Sequence, residues 1–427
     1  MFVRRSTAAF FVALTVASAS CDRCGGAEGT KDAASDARAP PDAADASARK
    51  AGDGPDAAAV AHDAAPAAFD PTPTAAGPSA CRLAYGPAEQ PFRGPAALVV
   101  SANELKLVAN DLGKPRVYAV PLGPPPAASG PSVVPPAPAS FASMRWPPCA
   151  MAGRWAYCQA AGGTVYRTTL GASDTKQIVK SRPSTRIAAA PLGADHAVVA
   201  THDIRRTTEG DRLQAFVTLD DGETMRLSDE GAGATVLHLV PRGEGALALY
   251  LDARTSMVPI HARPLSLRAG ELALGEDAVV FVAGPPERAV DFAVAGTPRA
   301  VFALLPIGKD SSDFGMAVIP ITEHPKEDAQ PVWSMYPNGL DPAPVAGTLN
   351  AEDGPWVARV RPAEPEVGSP RVLELGRLDA VGTFRSFGAI ATGKPITDVA
   401  IARDRYGSLW ILYGDTRATW LERRVCP

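Results

Sequence analysis

The residues best suited to chemistry in this chain of 427 residues are its six cysteines. Cys149 and Cys158 bracket the stretch CAMAGRWAYC. Gly153-Arg154 suits a two-residue hairpin turn with glycine first. Counting outward pairs Ala152 with Trp155, Met151 with Ala156, Ala150 with Tyr157 and Cys149 with Cys158. The last of these falls on a non-hydrogen-bonded rung, where Cα atoms approach to about 4.5 Å. That is within reach of a disulfide, so this pair is expected to be bonded. Cys81 and Cys426 stand at the two ends of the strand-rich part of the chain. Cys21 and Cys24 lie near the N-terminus.

The remaining polar residues make weaker constellations. Gly388 to Lys394 has the spacing of a phosphate-cradling loop, but Pro395 stands where such a loop needs Ser or Thr to hold magnesium. The stretch after it is strand-like, so it reads as a turn. His196 and His202 flank Ala197 to Thr201 and read as surface or loop residues, lacking the carboxylate or cysteine neighbours of a zinc site. His238, His261 and His324 stand alone. Asp310 and Asp313 lack the longer ladder of acidic ligands that calcium needs. Asp220-Asp221-Gly222-Glu223 reads as a hairpin turn, and Arg205-Arg206 with Glu209 and Asp211 as a charged loop. No nucleophile elbow, zincin helix or paired-carboxylate motif is present. Accordingly no catalytic, cofactor-binding or metal residue is assigned.

The elements that would position any site are clearest in Thr397 to Cys426. TDVAIA, LWILY and TWLERRVC read as three strands joined by turns rich in Gly, Asp, Arg and Ser. Leu409 to Tyr413 is apolar throughout, as in a strand buried on both faces. Trp420 to Val425 mixes charged and apolar residues and reads as a half-exposed outer strand. Such a unit needs similar units on both sides. VDFAVA at Val290 to Ala295, followed by Val301-Phe302-Ala303-Leu304, repeats the pattern. Leu107, Trp155, Val198, Leu247, Phe302, Trp356 and Trp410 align as inner-strand apolar anchors. Their spacing of roughly 50 residues is the period of a four-stranded propeller blade.

The sequence therefore predicts an all-β chain forming a β-propeller of about seven four-stranded blades. A β-sandwich pair or another all-β array is the competing arrangement. If Thr397 to Cys426 supplies three strands of the last blade, the fourth is Cys81 to Tyr85 at the N-terminal end of the folded part. Placed antiparallel beside the last strand, it sets Cys81 next to Cys426 and predicts a disulfide that closes the ring. Asp291 and Asp398 then hold equivalent positions early in the first strands of two blades. There they line the channel or cap a turn.

Residues 1–20 have a basic start, a short apolar core and small residues after it, the pattern of a secretory signal peptide. Residues 21–80 are an Ala/Pro/Asp-rich linker whose composition predicts disorder. Residues 81–427 remain for the propeller. The proline-rich run from Pro124 to Pro138 reads as a long loop within or between blades. Net charge is −4, with Arg and Lys scattered, which excludes a nucleic-acid surface.

Ser18-Ala19-Ser20-Cys21 resembles the lipobox of bacterial lipoproteins, departing from it at Ser18, where that family prefers an aliphatic residue. The resemblance implies that Cys21 carries lipid and anchors the chain in the cell envelope; cleavage after Ala17-Ser18-Ala19 would instead release a soluble protein. Cys24 is then acylated, paired with a partner or free, or bonded to Cys21 if neither is lipidated. The LWIL and VDFAVA units resemble degenerate blades of kelch-like or quinoprotein-like repeats. That likeness implies a binding or scaffolding surface; with the anchor, the leading expectation is a monomeric, non-enzymatic envelope lipoprotein whose propeller binds a protein or polysaccharide as a scaffold and needs no cofactor. The alternative is an extracytoplasmic propeller enzyme, a carbohydrate hydrolase or lyase or a lactonase, with its site at the channel mouth.

Overall fold

The structure is a computed structural model. It describes residues 80–427 apart from 93–95, 101–102, 112–113, 126–131, 135–148, 161, 171–174, 184, 209, 255–257, 284–290, 298, 309–312, 322–330, 338–343, 350–353, 365–368, 394–395 and 416. Cys21, Cys24, His324, Asp310 and most of the proline-rich run fall outside the described residues.

The described residues form seven antiparallel sheets and no helix. Six sheets are built in chain order, the seventh takes its fourth strand from the start of the described residues, and the first strand of each touches the first strand of the next all the way round. The first strands are Ala96–Val100, Cys149–Ala152, Ala188–Leu192, Ala234–Arg242, Ala293–Gly296, Val345–Gly347 and Asp398–Arg403, opening blades 1 to 7 in turn. The chain is thus a seven-bladed β-propeller. All seven aligned anchors, from Leu107 to Trp410, are buried on the second strands of successive blades, one step out from the axis.

Radial stacking of sheets explains the sequence pattern. Each blade packs both faces against neighbours, so alternate residues of one strand enter different cores. In Ser408–Gly414, Leu409, Ile411 and Tyr413 face blade 6, whereas Trp410 and Leu412 face blade 1. In His196–Thr207, Ala197 and Val199 face blade 2, whereas Val198 and Ala200 face blade 4. A continuous apolar run is the result. The sheets converge toward the axis, so the first strands are rich in Ala and Gly. At Gly347 an added Cβ would lie 2.5 Å from the Cβ of Ala295 and 2.6 Å from the Val294 oxygen.

The ring closes through blade 7. Arg82–Glu89 pairs antiparallel with Thr419–Val425, from Arg82 opposite Val425 to Glu89 opposite Trp420, with two bulges. Cys81 is bonded to Cys426 with Cα atoms 4.1 Å apart, beyond the last rung. Cys149 is bonded to Cys158 at a Cα distance of 4.2 Å, on the hairpin rung that the turn at Gly153 sets. Both sulfurs sit in the core between blades 1 and 2.

The third strand of blade 7 departs from the sequence expectation. Covered by Arg82–Glu89, it is not half-exposed, and Glu422 and Arg423 are buried. Arg423 Nη2 donates to Asp404 Oδ2 at 2.6 Å, with both side chains wholly buried. The same oxygen accepts from Trp410 Nε1 at 3.0 Å, while Asp404 Oδ1 accepts the backbone N–H groups of Tyr406 and Ser408. Arg423 is thus an interior brace of the turn at Asp404, while Glu422 accepts from Arg424 Nε at 2.6 Å.

Candidate functional site

The channel is a cavity of about 740 Å³ lined by all seven first strands. Ala97, Ala150, Ala189, Val345 and Val399 are typical of its wall. Each first strand ends its sheet, so its inner edge has no strand partner and turns backbone groups toward the axis. Five ionisable or imidazole side chains join this apolar lining: Arg186, His238, Asp291, Arg371 and Asp398. They come from the end of the ring at which the first strands begin, here termed the mouth.

Three of them meet. Arg186 and Asp291 hold equivalent places, each two residues before the first strand of its blade. The connection before Arg186 is pinned: the buried Gln159 amide donates to Ser181 Oγ at 2.6 Å and to the Arg182 oxygen at 2.9 Å, and Ile187 is buried between blades 2 and 3. His238 lies just past a bulge in Ala234–Arg242, and such a bulge re-aims the side chains beyond it. Arg186 Nη1 lies 3.3 Å from Asp291 Oδ1, and Nη2 lies 3.4 Å from Oδ2. Asp291 Oδ1 also accepts the Phe292 N–H at 2.8 Å.

His238 Nε2 lies 2.8 Å from Arg186 Nη1 and 2.8 Å from the Phe292 oxygen. The guanidinium only donates and the carbonyl only accepts, so one imidazole tautomer serves the first contact and the other tautomer the second. Burial, and then the Arg186 charge, hold the imidazole down at about 3, so it is neutral at ordinary pH. His202 backs the cluster. Its Nδ1 is 3.1 Å from the Arg186 oxygen and its Nε2 is 2.8 Å from the Thr235 oxygen, which ties blade 3 to blade 4. Complete burial lowers the pKa of this ring too.

The histidine expectations need correction. The second strand of blade 3 runs from His196 to Thr207, so His202 is an interior, buried strand residue. Arg205 and Arg206 are not loop residues; they pair with Arg212 and Asp211 on the outer rungs of the same hairpin. His196 Nδ1 meets Asp220 Oδ2 at 2.6 Å, and Asp220 also accepts from the Ala197 N–H and Arg167. His238 and His261 do not stand alone. His261 stacks on Tyr250, and Asp277 Oδ2 receives both the Tyr250 hydroxyl and His261 Nδ1. Asp277 lies in the short connection between Glu271–Leu274 and Ala278–Ala283, both of which pair with Val258–Arg268. Asp220 to Glu223 does form the turn between Gly210–Leu219 and Thr224–Arg226. Among the described residues no group of three or more His, Cys, Asp or Glu is placed to hold a metal ion.

Of the residues singled out by sequence, Asp291 and Asp398 line the cavity. The partner that matters at Asp291, Arg186, had one usable signal: its identical offset from a first strand. His238 had none, because its aim depends on the bulge.

No family model matches the chain, and no curated protein matches it. Solved structures do. The WD40 repeats of RRP9 match with a TM-score of 0.50 at 11% identity, over 81% of this chain and 97% of that one. U3-55K matches with a TM-score of 0.48 at 11% identity, over 81% and 99%. Apo AztD from Citrobacter koseri matches with a TM-score of 0.45 at 11% identity, over 75% and 81%. The RRP9 likeness establishes the propeller fold and nothing finer.

Proposed function

We propose that this chain is a non-catalytic binding protein of the cell envelope, which engages a partner protein through the mouth face of its propeller. The observation that carries the proposal is the make-up of the channel. Its wall is mostly apolar, and its compact polar cluster is electrically balanced, with Arg186 set against Asp291 and a neutral His238 beside Arg186. A hydrolytic site needs an ionised base or nucleophile aimed at open space. This cluster instead offers one adaptable cation above an apolar bore, the pattern of a recognition site.

Export supports the same reading. Two bonded cysteine pairs suit an oxidising compartment. No helix among the described residues is long and apolar enough to cross a membrane. In the proposal, residues 1–20 direct export, lipid on Cys21 holds the chain at the membrane, and residues 21–80 space the ring from it.

Crosslinking in intact cells, followed by purification of the chain and mass spectrometry, tests the reading. One dominant protein crosslinked to mouth-face residues such as Arg186 or Arg371 is the expected result. Reproducible capture of glycan, or of no macromolecule, overturns it. Substituting Cys21→Ser should move the protein from the membrane fraction to the soluble one.

A further inference from the structure

We infer that the channel mouth receives the carboxyl-terminal end of an extended apolar peptide, with Arg186 as the group that pairs with its terminal carboxylate. The inference rests on the binding reading above and names what the partner presents.

Three observations converge on this occupant. The first is the wall. Seven strand edges without strand partners turn backbone donors and acceptors toward the axis, between side chains such as Ala97, Ala150 and Ala189. A peptide backbone can pair with such edges, as in strand addition, whereas an acyl chain cannot. The mostly apolar wall suits apolar side chains on that peptide.

The second is the cation. Contacts from Arg186 to Asp291 at 3.3 and 3.4 Å are long beside the roughly 2.7–2.9 Å of a tight charge-assisted bond. At that distance an incoming carboxylate can compete with Asp291 for the guanidinium, while His238 keeps its 2.8 Å contact with Nη1. Asp291 keeps the Phe292 N–H as a donor and is partly open to water, so its release does not strand a buried charge.

The third is orientation. Neutral His238, fixed beside Phe292 with ring centroids 4.7 Å apart, aligns the guanidinium without adding a competing charge. The described chain also begins at the end of the ring away from the mouth. Asp398 opens the first strand of blade 7, and Thr419–Val425 runs parallel to that strand because both pair antiparallel with Ser408–Gly414. Cys426, and with it Cys81, therefore lies at the opposite end of the ring.

The test uses the mature full-length chain and a fluorescein-labelled peptide, Gly-Ser-Gly-Ala-Val-Ala-Val-Ala, as free acid and as C-terminal amide. Binding is read by fluorescence anisotropy, with thermal unfolding of every variant as the folding control. The free acid should bind about tenfold or more tighter than the amide, the range of a hydrogen bond to a charged group. R186Q should erase that preference, and R186K should keep part of it. D291N should strengthen free-acid binding several-fold, because it removes the internal competitor. A structural Arg–Asp pair predicts instead that D291N and R186Q weaken binding alike, and that outcome overturns the proposal. Equal binding of acid and amide overturns it, as does the lack of saturable binding of either peptide. So does Arg186-dependent binding of dodecanoate with no peptide binding. If peptide binding fails while cellular crosslinking still yields one mouth-face protein partner, only the carboxyl-terminal inference falls.

Discussion

Removing each disulfide separately should cost very different amounts, because the two bonds close loops of very different length. Cys81 and Cys426 are separated by 345 residues and Cys149 and Cys158 by 9. In the chain-entropy treatment, the stabilisation grows with the logarithm of the loop. It comes to about 5 to 6 kcal/mol for the long loop and about 2.5 kcal/mol for the short one. An unfolding entropy of roughly 2.1 cal/mol/K per residue over the ring converts these to Tm losses of about 7 °C and 3 to 4 °C. The substitutions are C81A/C426A and C149A/C158A, since Ala suits the buried sites of Cys81, Cys149 and Cys158 and the partly buried site of Cys426. Differential scanning calorimetry of the mature chain at neutral pH reads both. Equal losses, or a larger loss for the short loop, would refute the reasoning. In that case the rungs from Arg82 to Glu89 hold the ring closed by themselves, and the bond adds only local packing.

Three further outcomes follow from side chains in the ring. His238 is held neutral at about 3 when folded, whereas an unfolded histidine titrates near 6.5, so the unfolded chain binds more protons and stability falls as pH drops from 6.5 toward 3. The loss from His238 alone is about 2 kcal/mol by pH 5, His202 adds to it in the same direction, and H238Q should flatten Tm against pH over that window. Gly347→Ala should cost about 1 to 3 kcal/mol in thermal unfolding, because the new methyl meets Ala295 across the junction of blades 5 and 6; an unchanged Tm would show that the first strands are not in tight contact. Arg423→Met should cost about 3 to 5 kcal/mol by leaving Asp404 buried and unpaired, and D404N/R423M should recover much of that loss in the same urea titration.

Much of the architecture was legible because a propeller writes its stacking into the sequence. Second strands bury both faces, so Leu409 to Tyr413 and Val301 to Leu304 are apolar without a break, and their recurrence counts the blades. The hairpin around Gly153 fixed a register that only Cys149 opposite Cys158 satisfies. What stayed hidden depends on departures from regular pairing. A bulge aims His238 at the mouth and a break between two outer strands places Asp277 at Tyr250, and neither has an alternation signal. His202 was hidden because its strand continues past the blade into a hairpin that ends at Thr207. The charges of Thr419–Val425 suggested exposure, but a strand from the other end of the chain covers them. Patterning reports which neighbour a residue faces and is silent on how far from the axis it sits.

The position of the ring-closing bond carries a mechanical consequence for a tethered protein. The N-terminal segment joins the ring at Ala80, whose N–H donates to the Phe387 oxygen, and the next residue is Cys81. Tension arriving there is carried along Arg82–Glu89 by its rungs with Thr419–Val425, so without the bond that strand would shear from its partner. With the bond, the load passes through sulfur to Cys426 and along Thr419–Val425, which is paired on both edges. Optical-tweezer pulling between the N-terminal segment and a handle at Asp415, on the mouth face, separates the two cases. In C81A/C426A an early step should appear, shorter than the roughly 28 Å contour of the 8 residues of Arg82–Glu89, because the folded strand is already extended along the pulling axis. The wild-type chain should show no such step before the blades unfold. The same early step in both proteins would mean that the bond does not shield the closing strand, and that its contribution is confined to the unfolded chain.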